Sequence, residues 1–247
     1  MRKFGLIGKS LDHSWSKEYF LKKFTLEKIN DCVYENFPLR DLNGFRDFIL
    51  HDNSLSGLNI TIPYKLEVLQ YLDELDPVSK AVQAVNCVQI SRNENSIILK
   101  GYNTDMRAFR DTLKPYLNET HRKALVLGTG GAARAICHAL EELNISYSIV
   151  SREEKTGQLN YSGINEPIIA GHTLIINATP VGMFPNAGDC PPLPYSFLTS
   201  DHLLYDLVYN PEETLFLKKG IEAGAQIKNG LEMLKLQAEL SWEIWNQ

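Results

Sequence analysis

The chain has 247 residues, near the size at which a single core stops growing, so two modest domains are expected. Apolar residues make up 44% and charged residues 22%, values of a folded globular chain and not of a disordered or fibrous one. The net charge of -5, from 25 basic and 30 acidic residues without a Lys/Arg run, argues against a nucleic-acid partner.

Short β-rich runs alternate with helical patterns from the first residue, the signature of an α/β chain with mostly parallel strands. In the first half the patterns predict strands at 3–7, 32–36, 55–60, 85–90 and 96–101, with helices at 16–24, 39–50 and 65–72. The last two strands flank Asn93-Glu94-Asn95, a turn-rich tripeptide, which predicts an antiparallel hairpin at the sheet edge. A helix from about Thr104, with Met106, Phe109, Leu113 and Leu117 on one side, leads toward Pro115 and a polar stretch. Organisation then restarts with a strand at 124–127 and a glycine-rich turn, followed by strands near 147–150, 174–178 and 203–208. Residues 185–194 are Pro-rich and read as a loop. After Gly230 a final helix sets Leu231, Leu234, Ala238, Ser241 and Trp245 on one face, which must be buried, and the first domain is the expected place. The expected boundaries are 1–106 with 231–247 returning to it, and 107–230.

No apolar stretch approaches the ~20 residues that cross a bilayer, and Phe4-Gly5-Leu6-Ile7-Gly8 is no signal peptide, so a cytoplasmic chain without a membrane partner is expected. Cys32, Cys87, Cys137 and Cys190 lack any C-x-x-C spacing, and the six histidines lack ligand spacing, so no metal is expected.

Gly128-Thr129-Gly130-Gly131-Ala132-Ala133 sits between a buried-strand run and a helix opening, which is the context a dinucleotide fingerprint needs. Gly128 permits the tight turn, Gly130 lets backbone N–H groups approach a pyrophosphate, and Ala133 allows close packing of helix on strand. The end of the next strand reports the nucleotide, because enzymes using NAD place an acid there for the ribose hydroxyl. Here stand Ser151 and Arg152, with Lys155 nearby, a set that suits the 2′-phosphate of NADP. Glu153 and Glu154 oppose that attraction, which leaves NAD as a second possibility, and a solvated arginine at a strand end is the plainer reading.

Residues 57–65 read as a strand ending at a Pro-initiated helix, which puts Lys65 in the first helical turn. The positive end of the helix dipole disfavours a cation there. A lysine that breaks a local rule at the C-terminal end of a strand marks a candidate ligand site, and a surface lysine with its head in water is the alternative. Asp105 lies at another strand-to-helix junction, where a first-turn acid needs no functional explanation. As a pair they make chemical sense: Asp105 orients Lys65 and keeps it charged, and Lys65 donates a proton to a carbonyl oxygen or accepts one from a hydroxyl.

These segments resemble the shikimate/quinate dehydrogenase family almost from end to end. His13-Ser14-Trp15-Ser16 is similar to its H-S-x-S segment, residues 57–65 to G-x-N-x-T-x-P-x-K, Ala84-Val85-Asn86 to A-V-N-T, and Gly101-Tyr102-Asn103-Thr104-Asp105 to G-x-N-T-D. In the second half 128–132 resembles G-x-G-G-A, 177–183 N-A-T-P-x-G-M, 206–209 D-x-x-Y, and 230–237 G-x-x-M-L-x-x-Q. The resemblance implies an N-terminal α/β substrate domain and a C-terminal Rossmann-type domain. It implies that Lys65 and Asp105 are catalytic and that Ser14, Ser16, Asn59, Thr61, Asn86, Tyr209 and Gln237 reach substrate. It further implies that Gly128, Thr129, Gly130, Gly131, Ala132, Ser151, Arg152, Thr179, Leu207 and Gly230 hold NADP. The implied reaction is reversible reduction of 3-dehydroshikimate to shikimate by a monomer or homodimer. Alternatives are a quinate/shikimate dehydrogenase using NAD and a nucleotide-binding regulatory module that has lost chemistry. From the residues alone, Ser14 and Ser16 are helix N-cap candidates. The chain departs from the family pattern at Gln83, where glycine is usual, at Cys87, where threonine is, and at Ser151-Arg152-Glu153.

Overall fold

The structure, a computed structural model, describes residues 1–11, 14–93, 96–153 and 156–247. His13, Glu94, Asn95, Glu154 and Lys155, all used in the sequence reading, lie outside the described residues. The chain divides into two units, one of Met1–Thr104 with Ala238–Gln247 and one of Asp105–Gln237.

In the first unit the elements run β1 (Arg2–Gly8), α1 (Trp15–Leu26), β2 (Cys32–Pro38), α2 (Phe45–His51), β3 (Leu55–Ile60), β4 (Glu74–Leu75), α3 (Pro77–Val82), β5 (Cys87–Asn93) and β6 (Ser96–Tyr102). They form one sheet in the order β2-β1-β3-β5-β6-β4. β1 is parallel to β2 and β3, whereas β5 is antiparallel to both β3 and β6. Two reversals restore direction, so β1, β3 and β6 all end at the same sheet edge. β1 alternates sides with the strand period of two. Phe4 and Leu6 join Phe20, Phe24 and Tyr34 in one core, and Ile7 joins Leu42, Phe45 and Leu58 in another.

α4 (Thr104–Leu113) begins at the division between the units, and β7 (Lys123–Leu127), α5 (Gly131–Glu142), β8 (Ser146–Ser151), β9 (Leu159–Asn160), α6 (Glu166–Ala170), β10 (Leu174–Asn177), β11 (Leu203–Asp206), α7 (Leu215–Glu222) and β12 (Gln226–Lys228) follow. Their order is β12-β11-β10-β7-β8-β9 and all neighbours are parallel, which is the doubly wound dinucleotide topology. The strand order reverses between β7 and β10, where ligand crevices open in such sheets. The closing helix, α8 (Leu231–Trp245), ends in the first unit. There the Trp245 ring stacks on Phe4 at 4.8 Å and its Nε1–H donates to the Val88 carbonyl at 3.0 Å. Of the face expected to bury on the first domain, Ala238, Ser241 and Trp245 belong to the first unit, whereas Leu231 and Leu234 belong to the second.

Four expectations need correction. The helix at 65–72 is instead a run of turns followed by a short 3-10 helix, Glu67–Tyr71. The Lys65 carbonyl accepts from the Val85 N–H at 2.8 Å, which ties this turn to the segment before β5. Lys65 therefore sits in a turn, and the helix-dipole argument for it falls away. α2 starts only at Phe45, because Gly44 ahead of it is left-handed at φ 73°. β5 starts at Cys87 and not at 85. The helix after Thr104 stops at Leu113, since Pro115 restricts the residue before it and donates no N–H. The sequence patterns also passed over β4, β9, β12, α3, α6 and α7.

Candidate active site

Around the C-terminal edge of the first sheet several expected residues converge. After β1 the chain reaches Ser14, the N-cap position of α1, whose hydroxyl makes no capping bond. The Ser14 Oγ is buried and finds no hydrogen-bond partner among the described residues, which is what a group reserved for a ligand looks like. Ser16 lies two residues on, inside the first turn, and is buried, so neither serine acts as the helix cap that the residues alone suggested. After β3 come Thr61, whose N–H donates to the Ile7 carbonyl at 2.8 Å, and Lys65, half-buried in its turn. Asn86 precedes β5 at that edge. Its Oδ1 accepts from the Thr104 N–H at 2.7 Å and its Nδ2–H donates to Thr104 Oγ1 at 2.8 Å, so the end of β6 is tied to the start of β5. Asn103 adds a bond from Nδ2 to the Ala84 carbonyl at 2.9 Å. The next residue after Thr104 is Asp105, buried at the start of α4 and the first residue of the second unit.

In the second unit the turn after β7 is set by Gly128, at φ 111°, where an L side chain is strained and a Cβ would press on Thr179 and the Ala178 carbonyl. Thr179 belongs to the turn after β10, where its N–H and hydroxyl both donate to Asn177 Oδ1. The loops after β10 and β11 meet through Asp206, which is fully buried. Its Oδ1 accepts from Asn177 Nδ2 at 3.0 Å and from the Val208 N–H at 3.0 Å, and its Oδ2 from Thr214 Oγ1 at 2.6 Å. Leu207 and Gly230 touch backbone to backbone, so closely that any Cβ at 230 would collide with the Leu207 carbonyl. Tyr209 is half-buried, and Gln237 is buried with its Nε2–H turned back to the Leu234 carbonyl at 2.9 Å.

A family model described as the shikimate dehydrogenase substrate binding domain matches residues 6–88. The shikimate dehydrogenase (NADP(+)) of Methanococcus aeolicus is 35% identical over 258 residues, covering 98% of this chain and 90% of the relative. This chain belongs to the shikimate dehydrogenase family. Among solved structures, the shikimate 5-dehydrogenase of Thermus thermophilus in complex with NADP(H) and shikimate aligns with a TM-score of 0.84 at 29% identity, covering 99% of this chain and 93% of that one. Quinate dehydrogenase from Corynebacterium glutamicum in complex with NAD aligns equally well, at a TM-score of 0.84 and 27% identity over the same shares, 99% and 93%.

The second unit of this shikimate dehydrogenase family member fits a dinucleotide on its own geometry. The N-cap of α5 is Gly130, which supplies no side-chain cap and leaves first-turn N–H groups for an anion, and a Cβ at Gly130 would point into open space. Ala133 is buried at the helix–sheet contact. Thr129 is exposed, and Gly131 and Ala132 are half-buried in the same turn. At the end of β8 the Ser151 hydroxyl already accepts from the Glu153 N–H, whereas the Arg152 side chain is exposed and close enough to Tyr161 to lower its phenol pKa against the larger upward push of burial. Among the described residues, Arg152 is thus a basic group on offer at that strand end. Two residues with structural weight escaped the sequence reading. Asp206 was noted only as part of a segment, and burial, outweighing its three hydrogen bonds, pushes its carboxyl up to about 6. Tyr34 was not noted at all.

Proposed function

We propose that this chain is an NADP-dependent shikimate dehydrogenase, catalysing reversible reduction of 3-dehydroshikimate to shikimate. The observation that carries the reading is the convergence of Ser14, Ser16, Thr61, Lys65, Asn59 and Asn86 at one sheet edge in a chain of this family. Substrate binding and catalysis are assigned to 1–106 with 231–247, and dinucleotide binding to 107–230. The Ser14 hydroxyl, without a partner among the described residues, and Ser16 suit the substrate carboxylate, and Asn59, Thr61, Asn86, Tyr209 and Gln237 suit its hydroxyls. Lys65 donates a proton to the ring oxygen as the ketone becomes an alcohol and takes it back in reverse, with Asp105 orienting the ammonium. NADPH, when bound, supplies the hydride to the ring carbon. The 128–132 turn and the first turn of α5 hold its pyrophosphate, Arg152 its 2′-phosphate, and Thr179, Leu207 and Gly230 line the nicotinamide end. Four free cysteines suit a reducing compartment, in line with a cytoplasmic enzyme working as a monomer or homodimer.

A second reading, quinate/shikimate dehydrogenase using NAD, draws on Glu153 beside Arg152 and on the likeness to the C. glutamicum enzyme. The catalytic assignment is tested by Lys65→Ala. It should lower kcat by about a hundredfold or more, the scale of general acid–base catalysis, while the Kd for NADP stays within about twofold. An equal loss of NADP affinity would contradict the assignment.

A further inference from the structure

Tyr34 stands in the middle of β2, 1% exposed, with its ring stacked on Phe20 at 4.5 Å. Its hydroxyl donates to Asn59 Oδ1 at 2.8 Å, and the nearby Ser16 side chain lowers the phenol pKa a little against the larger upward push of burial. Burial holds the phenol well above its ordinary pKa, so it remains a donor at any working pH. On its other side the Asn59 amide donates from Nδ2 to the Asn86 carbonyl at 3.3 Å and to Ser241 Oγ at 2.9 Å. The orientation of that amide is determined. Turned over, it would set Oδ1 against the Asn86 carbonyl, acceptor against acceptor, in a site that water does not reach.

We propose that Tyr34 is a positioning residue for substrate recognition, fixing the Asn59 amide in a buried network, with Ser241 of α8 as its counterpart on the far side of Asn59. Both Asn59 N–H groups are then spent on Asn86 and Ser241, and one Oδ1 lone pair goes to Tyr34. What remains to Asn59 is one acceptor site, which suits a hydroxyl of a polyhydroxylated ring and not its carboxylate. The inference rests on the reading of Asn59 as a substrate residue.

The test is steady-state kinetics of the full chain with shikimate and NADP for Tyr34→Phe, Asn59→Ala and the double variant, with thermal unfolding of each. Tyr34→Phe should raise the KM for shikimate about tenfold, the scale of one neutral hydrogen bond, and leave the KM for NADP unchanged. A merely structural role would lower Vmax through loss of folded enzyme and leave both KM values in place. Because Tyr34 acts through Asn59, the double variant should match Asn59→Ala within about twofold in KM for shikimate. Multiplying effects, or an unchanged KM in Tyr34→Phe, overturn the inference while Asn59 keeps its role. An unchanged KM for shikimate in Asn59→Ala overturns the substrate reading itself. Should Tyr34→Phe fail to fold, Ser241→Ala frees the opposite end of the same amide and should raise the same KM; no rise would overturn the network.

Discussion

Gln83 ends α3 in the left-handed region, at φ 55°, where a side chain costs about 1 kcal/mol and glycine costs nothing. It stands where the family pattern has glycine. Gln83→Gly is expected to stabilise the chain by about 0.5–1 kcal/mol, after allowing for its exposed bond to the Lys80 carbonyl, in urea denaturation; unchanged or reduced stability would contradict this. Single residues were unevenly legible. Gly128 could be read from the strand and helix around it, because only a turn with that conformation fits between them. Lys65 was singled out for a helical position it does not occupy, and its candidacy now rests on its place after β3 and on the family. Tyr34 was illegible for a physical reason: an aromatic at an inward strand position reads as core, and the hydroxyl's partner is 25 residues away on another strand.

At the scale of elements, Asp206 binds the ends of β10 and β11 to the N-terminus of α7, and its charge is buried. The sign follows from its raised pKa. The folded state holds this proton more tightly than the unfolded chain, whose carboxyl has a pKa near 3.9. Stability from this group is therefore greatest at low pH and falls as pH rises from about 4 to about 6, by up to about 3 kcal/mol, and then levels off. Tyr195, whose phenol is pushed up by burial, also feels this charge. Asp206→Asn removes the titration, so urea denaturation between about pH 4 and about pH 7 should show the unsubstituted chain losing stability relative to the variant across that window. A constant difference would mean that Asp206 titrates normally. His121 and His172 work the other way: burial lowers both pKa values, and their contribution is lost as pH falls below the ordinary histidine range. Elements with a full period were legible. β3 matches its expected span, 55–60, because Leu55, Leu58 and Ile60 bury in a run between polar turns. Two-residue strands such as β4 and β9, and the five residues of α6, are too short to carry any period.

For the whole molecule, the strand orders carry more than any motif does. The second unit's order places the Gly128 turn and the Thr179 turn on either side of the strand reversal, the place where doubly wound sheets open their ligand crevice. The first unit's double reversal through β5 brings the ends of β1, β3 and β6 to one edge. Sequence patterns suggested two α/β domains and the hairpin of β5 and β6, but strand order depends on long-range pairing that no local pattern encodes. Among the described residues no helix is long and apolar enough to cross a membrane. The most direct measurement of the central claim is a matrix of initial rates, followed by absorbance of the reduced nicotinamide, with shikimate or quinate against NADP or NAD. The highest kcat/KM is predicted for shikimate with NADP; preference for quinate with NAD, or no turnover of shikimate with either nucleotide, would contradict it.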